Sequence, residues 1–224
     1  MRVPNWCSNF IVIQEGDKPE LEKLYGLIQE WTSQSYVKNG FGDNWLGNIV
    51  YGAGFKRSDE DKENGFKCRG SITDMNLNEE DGILYITTET AWEPMNEMWH
   101  AIIEKFAPNS FFQCCSEEPG NEYFCIEEDK GCTRYFQDDY SIEIWSENDK
   151  NFEPWMLELF SFGSSTEERL KKVLTEKFED KPIKELVRLA NDYMEDILKE
   201  DGFGHIYKYE RVIYDPVTKE YEVI

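Results

Sequence analysis

Six cysteines, two histidines, seven tryptophans and a run of paired acids are the residues here whose types could do chemistry. Cys7, Cys68, Cys114, Cys115, Cys125 and Cys132 contain no C-x-x-C, and only His100 and His205 could add imidazole ligands. The spacing of a structural zinc site is therefore missing, and no metal is assigned. Adjacent Cys114 and Cys115 would point to opposite faces of a strand. Buried reduced thiols are the ordinary reading, with Cys125 and Cys132, across a hairpin, the one pair to check for a bond. The acids Glu117-Glu118, Glu127-Glu128-Asp129 and Asp138-Asp139 could hold a divalent cation if several oxygens converged. None follows the EF-hand pattern, so they read as solvated turns.

A general base at His100 would need a carboxylate within hydrogen-bonding distance. The nearby acids in sequence are Glu89, Glu93 and Glu97, so an enzyme would pair His100 with Glu89 or Glu93 at a strand–helix corner. Against that stands the lack of G-x-S-x-G, Walker-type, H-E-x-x-H and G-x-G-x-x-G patterns. No catalytic residue and no cofactor is assigned, and the chain reads as a non-enzyme. Gly202 and Gly204 read as a helix C-cap before a strand. Tryptophan is ordinarily a core residue. Gathered around the corner, however, Trp6, Trp45 and Trp92 would line a cleft suited to a base, a sugar ring or a peptide side chain. The candidate binding residues are Asn5, Trp6, Asn44, Trp45, Thr90 and Trp92, with the asparagines donating hydrogen bonds and the tryptophans offering stacking area.

The corner itself is Gly82 to Phe106. Leu84 and Ile86 alternate with Ile83 and Tyr85, and β-branched and aromatic residues make this a strand. Pro94 suits the first turn of a helix. Met95, Met98, Trp99, Ile102, Ile103 and Phe106 follow at helical spacing until Pro108 ends the pattern. Upstream, Asn9 to Gln14 reads as a strand apolar on both sides. After Asp17 and Pro19, the spacing of Leu21, Leu24, Tyr25, Leu27, Ile28 and Trp31 predicts a helix. Residues 33–69, rich in glycine and then in charge, lack a sustained period and read as a long insertion, the kind of loop that more often carries function. Gly70 to Asn76 and Ser110 to Ser116 complete a strand, helix, strand, strand, helix, strand order. That order predicts an α+β fold of ferredoxin-like, split βαβ type, an antiparallel sheet covered by two helices.

Extra strands are expected at Tyr123 to Glu127 and Cys132 to Phe136, as a hairpin, and at Tyr140 to Trp145, all extending the same sheet. Ser164 or Ser165 would cap a helix running through Lys177, and Ile183 to Lys199 repeats apolar residues at helical spacing. His205 to Tyr209 and Glu220 to Ile224 read as a terminal hairpin turning on Asp215-Pro216. The expected division is a ferredoxin-like domain over residues 1–150 and a helical plus hairpin extension over 151–224, packed on the first.

Against 46 Asp and Glu stand 24 Lys and Arg, a net charge of −22. Such a surface repels phosphates and anionic lipid, so direct binding to nucleic acid or membrane is not expected. The acidity either keeps the protein in solution or imitates a polyanion for a basic, DNA-handling partner. No run of about 20 apolar residues and no export signal are seen, which predicts a cytoplasmic protein.

Three motifs resemble one family. Pro4-Asn5-Trp6-Cys7-Ser8-Asn9, Thr90-Ala91-Trp92-Glu93-Pro94, and Phe106-Ala107-Pro108 followed by Cys115-Ser116-Glu117-Glu118-Pro119-Gly120 are similar to the YubB-like ferredoxin-like domains of phage, plasmid and other mobile-element proteins. The resemblance spans residues 4–125. This chain has Met95 where the family has a second proline, and only Asn44-Trp45-Leu46-Gly47 where it has a longer tryptophan segment. It implies the fold and a mobile-element setting, with no established activity. The expected function is a non-catalytic binding or accessory role with a protein partner, oligomeric state left open.

Overall fold

Alternating apolar residues in the first strand find partners on both sides, which places that strand in the middle of a sheet. The computed structural model describes residues 5–33, 41–148, 150 and 152–224. Pro4 of the first motif and residues 34–40 of the insertion lie outside them. The chain forms two compact units, one of residues 1–135 with 210–224 and the other of residues 136–209. Among the described residues the fold is α+β, with six α-helices, a seven-stranded mixed sheet and a three-stranded sheet.

The first unit holds β1 (Trp6–Gln14), α1 (Lys18–Ser33), α2 (Leu46–Gly52), β2 (Gly70–Asn78), β3 (Ile83–Ala91), α3 (Asn96–Phe106), β4 (Phe111–Glu118) and β5 (Tyr123–Asp129). Its last strands are β9 (Glu210–Asp215) and β10 (Glu220–Val223), and the sheet order is β10-β9-β5-β4-β1-β3-β2. β1 pairs antiparallel with β3 and β4, setting Ile11 opposite both Ile86 and Cys114. Ile11, Ile13, Leu84, Ile86, Phe112 and Cys114 thus share one face and one core with Leu21, Leu24, Ile28 and Trp31 of α1 and Met98, Trp99, Ile102 and Ile103 of α3. Each fully buried aliphatic side chain contributes about 1.5–3 kcal/mol, which is what holds the two helices on the sheet.

The insertion is more ordered than its composition predicts. Leu46, Ile49 and Val50 of α2 are buried in the same core, although Gly47 and Gly52 read as helix breakers. A Cβ at Gly47 would lie 2.3 Å from the Trp45 ring, and one at Gly52 2.2 Å from the Trp31 ring. The glycines therefore let two indoles lie against the helix backbone. Buried Asn48 donates to the carbonyls of Gly42 and Asp43 at 3.1 and 2.7 Å. The charged run folds back on itself, with Ser58 N–H to Phe66 O and Phe66 N–H to Lys56 O, both 2.9 Å.

Cys132 to Phe136 is not a strand. Its backbone is satisfied by side chains instead: Thr133 O accepts from Gln14 and Gln113 at 2.6 and 2.9 Å, and Tyr135 N–H donates to Gln113 Oε1 at 2.8 Å. The free edge of β5 pairs in parallel with β9, with Cys125 opposite Glu210, so the sheet is mixed where an antiparallel one was expected. Nor are Cys125 and Cys132 bonded, since all six thiols are free. The terminal hairpin is β9–β10, with Glu220 opposite Asp215; the strand expected at His205 to Tyr209 belongs to the other unit. Helix α3 begins at Asn96, leaving Pro94 just outside its first turn.

The second unit contains β6 (Tyr140–Ser146), α4 (Pro154–Phe160), β7 (Ser164–Ser165), α5 (Glu167–Phe178), α6 (Ile183–Leu198) and β8 (Gly202–Lys208). Its sheet, β7-β6-β8, is separate from the first, so Tyr140 to Trp145 does not extend the larger sheet, and the boundary expected at residue 150 falls inside this unit. Thr166, rather than Ser164 or Ser165, caps α5 by accepting from Arg169 N–H, because the two serines are taken by the β7 pairing with β6. Leu186, Ala190, Met194 and Leu198 of α6 are buried with Leu170, Leu174 and Ile206. Asn191 closes the open edge of β8, donating to Ile206 O at 3.1 Å and accepting from Ile206 N–H at 2.8 Å. Glu153, held by Lys177, Tyr193 and Trp155, ties three helices together, and these partners keep its carboxyl below the usual range.

A candidate binding cleft at the strand–helix corner

Asn9 is the peg of the corner. Buried on β1, it donates to Thr88 Oγ1 at 3.2 Å and to Thr90 Oγ1 at 2.8 Å, and Thr90 Oγ1 donates in turn to Glu93 O at 2.8 Å. That chain fixes where β3 turns out of the sheet. Trp92 follows with φ at +75°, a left-handed backbone that is costly for a bulky residue, and its N–H donates to Asn5 O at 3.0 Å. The turn swings the indole outward, leaving it 41% exposed.

Trp92 faces a cleft of about 850 Å³ that also takes Trp6, Phe41, Trp45, Arg57, Asp59, Lys67, Cys68, Arg69, Glu93 and Met95 into its lining. That volume lies within the range of small-molecule and side-chain pockets, roughly 300–1,000 Å³. Trp6 and Phe41 are 50% and 63% exposed, so their rings are open to a ligand, whereas Trp45 is buried. Trp45 stacks on Phe41 at 4.9 Å and carries the Arg57 guanidinium over its ring at 5.4 Å. Exposed aromatic rings grouped around a concavity are a costly arrangement for surface alone, and they are what a binding site needs.

Of the six candidate residues, the cleft brings together Trp6, Trp45 and Trp92. The other three do not line it. Thr90 is spent on the corner, Asn5 contributes its carbonyl to Trp92, and the Asn44 carbonyl accepts from Ile72 N–H at 2.9 Å. Charged residues, most of them from the insertion, stand in the asparagines' place. Arg57 pairs with Asp59 at 2.8 Å and Lys67 with Glu93 at 2.5 Å. Exposed Arg69 has no ion-pair partner among the described residues, so the lining carries one net positive charge in a chain of net charge −22. Burial pushes the Cys68 thiol in the wall up to about 11, leaving it protonated and unreactive near neutral pH.

His100 does not meet Glu89 or Glu93. Glu89 is exposed and Glu93 is taken by Lys67, while α3 lays His100 over β5. Its Nε2 lies 2.6 Å from Glu127 Oε1 and its Nδ1 3.6 Å from Asp129 Oδ1. Glu127 Oε2 also accepts from Asn96 at 3.0 Å, and Asp129 Oδ2 from Phe112 N–H at 2.7 Å. Glu127 and Asp129 sit two apart on one strand and so share a face; what the sequence lacked was which strand α3 covers.

No family model, no curated protein and no solved structure matches the chain. No helix among the described residues is long and apolar enough to cross a membrane, and they hold no group of three or more His, Cys, Asp or Glu side chains placed to hold a metal ion.

Proposed function

We propose that this is a non-catalytic binding or accessory protein that takes a partner's flat apolar group, with an acid beside it, into the corner cleft. The observation that carries the reading is the meeting of Trp6, Trp45 and Trp92, from three distant segments, in one cleft whose unpaired charge is Arg69. Stacking on indoles contributes apolar contact with little ordering of the site, and a guanidinium favours a carboxylate or phosphate through its fork of donors. The reading favours a protein segment presenting an aromatic side chain next to Asp or Glu, since one net positive charge is too small a footprint for an extended nucleic acid. The proposal also takes the β1–α1–β2–β3–α3–β4 part as a ferredoxin-like core of the YubB-like kind, with its mobile-element setting. The antiparallel order β4-β1-β3-β2 supports that assignment.

Tryptophan fluorescence, titrated with a capped Asp-Phe peptide, a capped Lys-Phe peptide and adenosine monophosphate, tests the reading. The acidic peptide should bind best, and both Trp92→Ala and Arg69→Glu should weaken it. Preference for the basic peptide, or affinity indifferent to both folded variants, would overturn it. Tighter binding of the nucleotide would keep the cleft and change the partner.

A further inference from the structure

A second cleft, sharing no lining residue with the corner, opens beside His100, Ile103 and Glu104 of α3. It measures about 460 Å³ and takes His100, Ile103, Glu104, Pro108, Ser110, Phe111, Asp129, Tyr214, Pro216 and Val217 into its lining. Two buried polar groups there have no hydrogen-bond partner, Asp129 Oδ1 and Ser110 Oγ. Native interiors leave few such atoms, and each asks for an explanation. The Asp129 side chain is only 5% exposed. Its second oxygen is held by Phe112 N–H, so the carboxylate is fixed in place, while Oδ1 has only His100 Nδ1 nearby, at 3.6 Å and beyond hydrogen-bond reach.

The surroundings say which donor fits that acceptor. No lysine or arginine lines the cleft, while Glu104 adds a second carboxylate at its edge, paired with Lys219 at 2.8 Å. His100 is held on its other nitrogen by Glu127 and sandwiched against the Tyr214 ring at 3.8 Å, so it is not free to turn toward a ligand. Burial pushes the Asp129 carboxyl up to about 6, which still leaves it largely ionised at neutral pH. Ile103, Pro108, Phe111, Pro216 and Val217 supply an apolar wall. An anion would meet two carboxylates here, and a neutral group would leave the buried charge unneutralised.

We propose that this cleft binds a protonated primary amine on a short hydrocarbon stem, the ammonium donating to Asp129 Oδ1 and the stem lying against Ile103, Pro216 and Val217. Free alkylamines and the lysine side chain of a basic partner share that chemistry. The site does not depend on the corner cleft, since none of its lining residues is shared with it.

The test is a titration of the whole chain, followed by two-dimensional NMR, with n-butylammonium, with N-acetyl-lysine methylamide, and with 1-butanol and butyrate as the neutral and anionic controls. The ammonium should saturate one site and shift signals of Tyr214 and Val217. Asp129→Asn, which keeps the acceptor for Phe112, should weaken it by about tenfold or more, the value of a charged hydrogen bond. Val217→Trp, at an exposed rim position, should block the cleft without touching the buried cluster. Binding of both amines would place a partner's lysine here, and binding of butylammonium alone a free small amine. No saturable binding, equal binding of 1-butanol, or affinity unmoved by Asp129→Asn and Val217→Trp would overturn the proposal.

Discussion

Replacing Asp129 by asparagine should stabilise the fold above pH 6 and do nothing for it near pH 3. Burial is the main reason the Asp129 carboxyl is raised, from 3.8 to about 6; the Phe112 N–H and His100 pull the other way and only partly offset it. The folded state therefore binds this proton more tightly than the unfolded chain does. Below about pH 3 the group is protonated in both states and costs nothing. As the pH climbs past about 6 the folded protein must carry a buried carboxylate, and a shift of about two units corresponds to roughly 3 kcal/mol. Asparagine never ionises, and its Oδ1 can keep the bond from Phe112 N–H. Urea unfolding of both proteins from pH 3 to pH 8 measures the effect. The stability difference, variant minus parent, should grow by about 3 kcal/mol across that window. A difference flat with pH, or one that shrinks as the pH rises, would mean that the Phe112 N–H and His100 outweigh burial, and the reasoning would fail. A carboxylate that weakens the fold at neutral pH is one whose retention calls for a use beyond folding.

Trp92→Gly should be more stable than Trp92→Ala by about 1 kcal/mol in thermal melts, because only glycine adopts φ near +75° without strain; equal stabilities would remove the strain argument. Thr90→Val should cost about 1–3 kcal/mol by removing the nearest acceptor of the Asn9 amide and the hydroxyl that donates to the Glu93 carbonyl, and an unchanged denaturant midpoint would show that Thr90 is not the fixed point of the corner. Gly52→Ala should cost about 1–3 kcal/mol as the new methyl meets the Trp31 ring, and a melting temperature within error of the parent would mean that the indole can step aside freely.

The parts of this fold legible in the sequence are those where one period runs uninterrupted. Ile11 and Ile13, Leu84 and Ile86, and the three-and-four spacing of α1 and α3 announce strand and helix because nothing else competes. Helix α2 was hidden since Gly47 and Gly52 carry information about Trp45 and Trp31, residues that no local window places beside them. Cys132 to Phe136 looked like a strand because strand-forming side chains say nothing about who accepts the backbone bonds, and here Gln14 and Gln113 do. From His205 to Asp215 the chain keeps one strand-like composition while it passes from the smaller sheet to the larger at Tyr209, with neither glycine nor proline to mark the change. At the cleft the tryptophans were recognisable by type. Arg57, Lys67 and Arg69 were not, because a charged run has the same composition whether it is solvated or folded against a ring.

The pairing of β5 with β9 joins two strands separated by the whole stretch Phe136–Tyr209. An unstructured chain of that length makes such a pairing slow to find, since its ends must meet by diffusion before any contact rewards them. β6 and β8 change the problem, because they lie side by side with Tyr140 opposite Lys208, and Tyr209 N–H bonds to Asp139 O at 2.9 Å. Once folded, the smaller unit delivers both of its ends to the same place and acts as a short tether. A folded smaller unit thus shortens the loop that β9 must close to reach β5, and a few flexible residues in place of 136–209 would be expected to serve the larger sheet nearly as well.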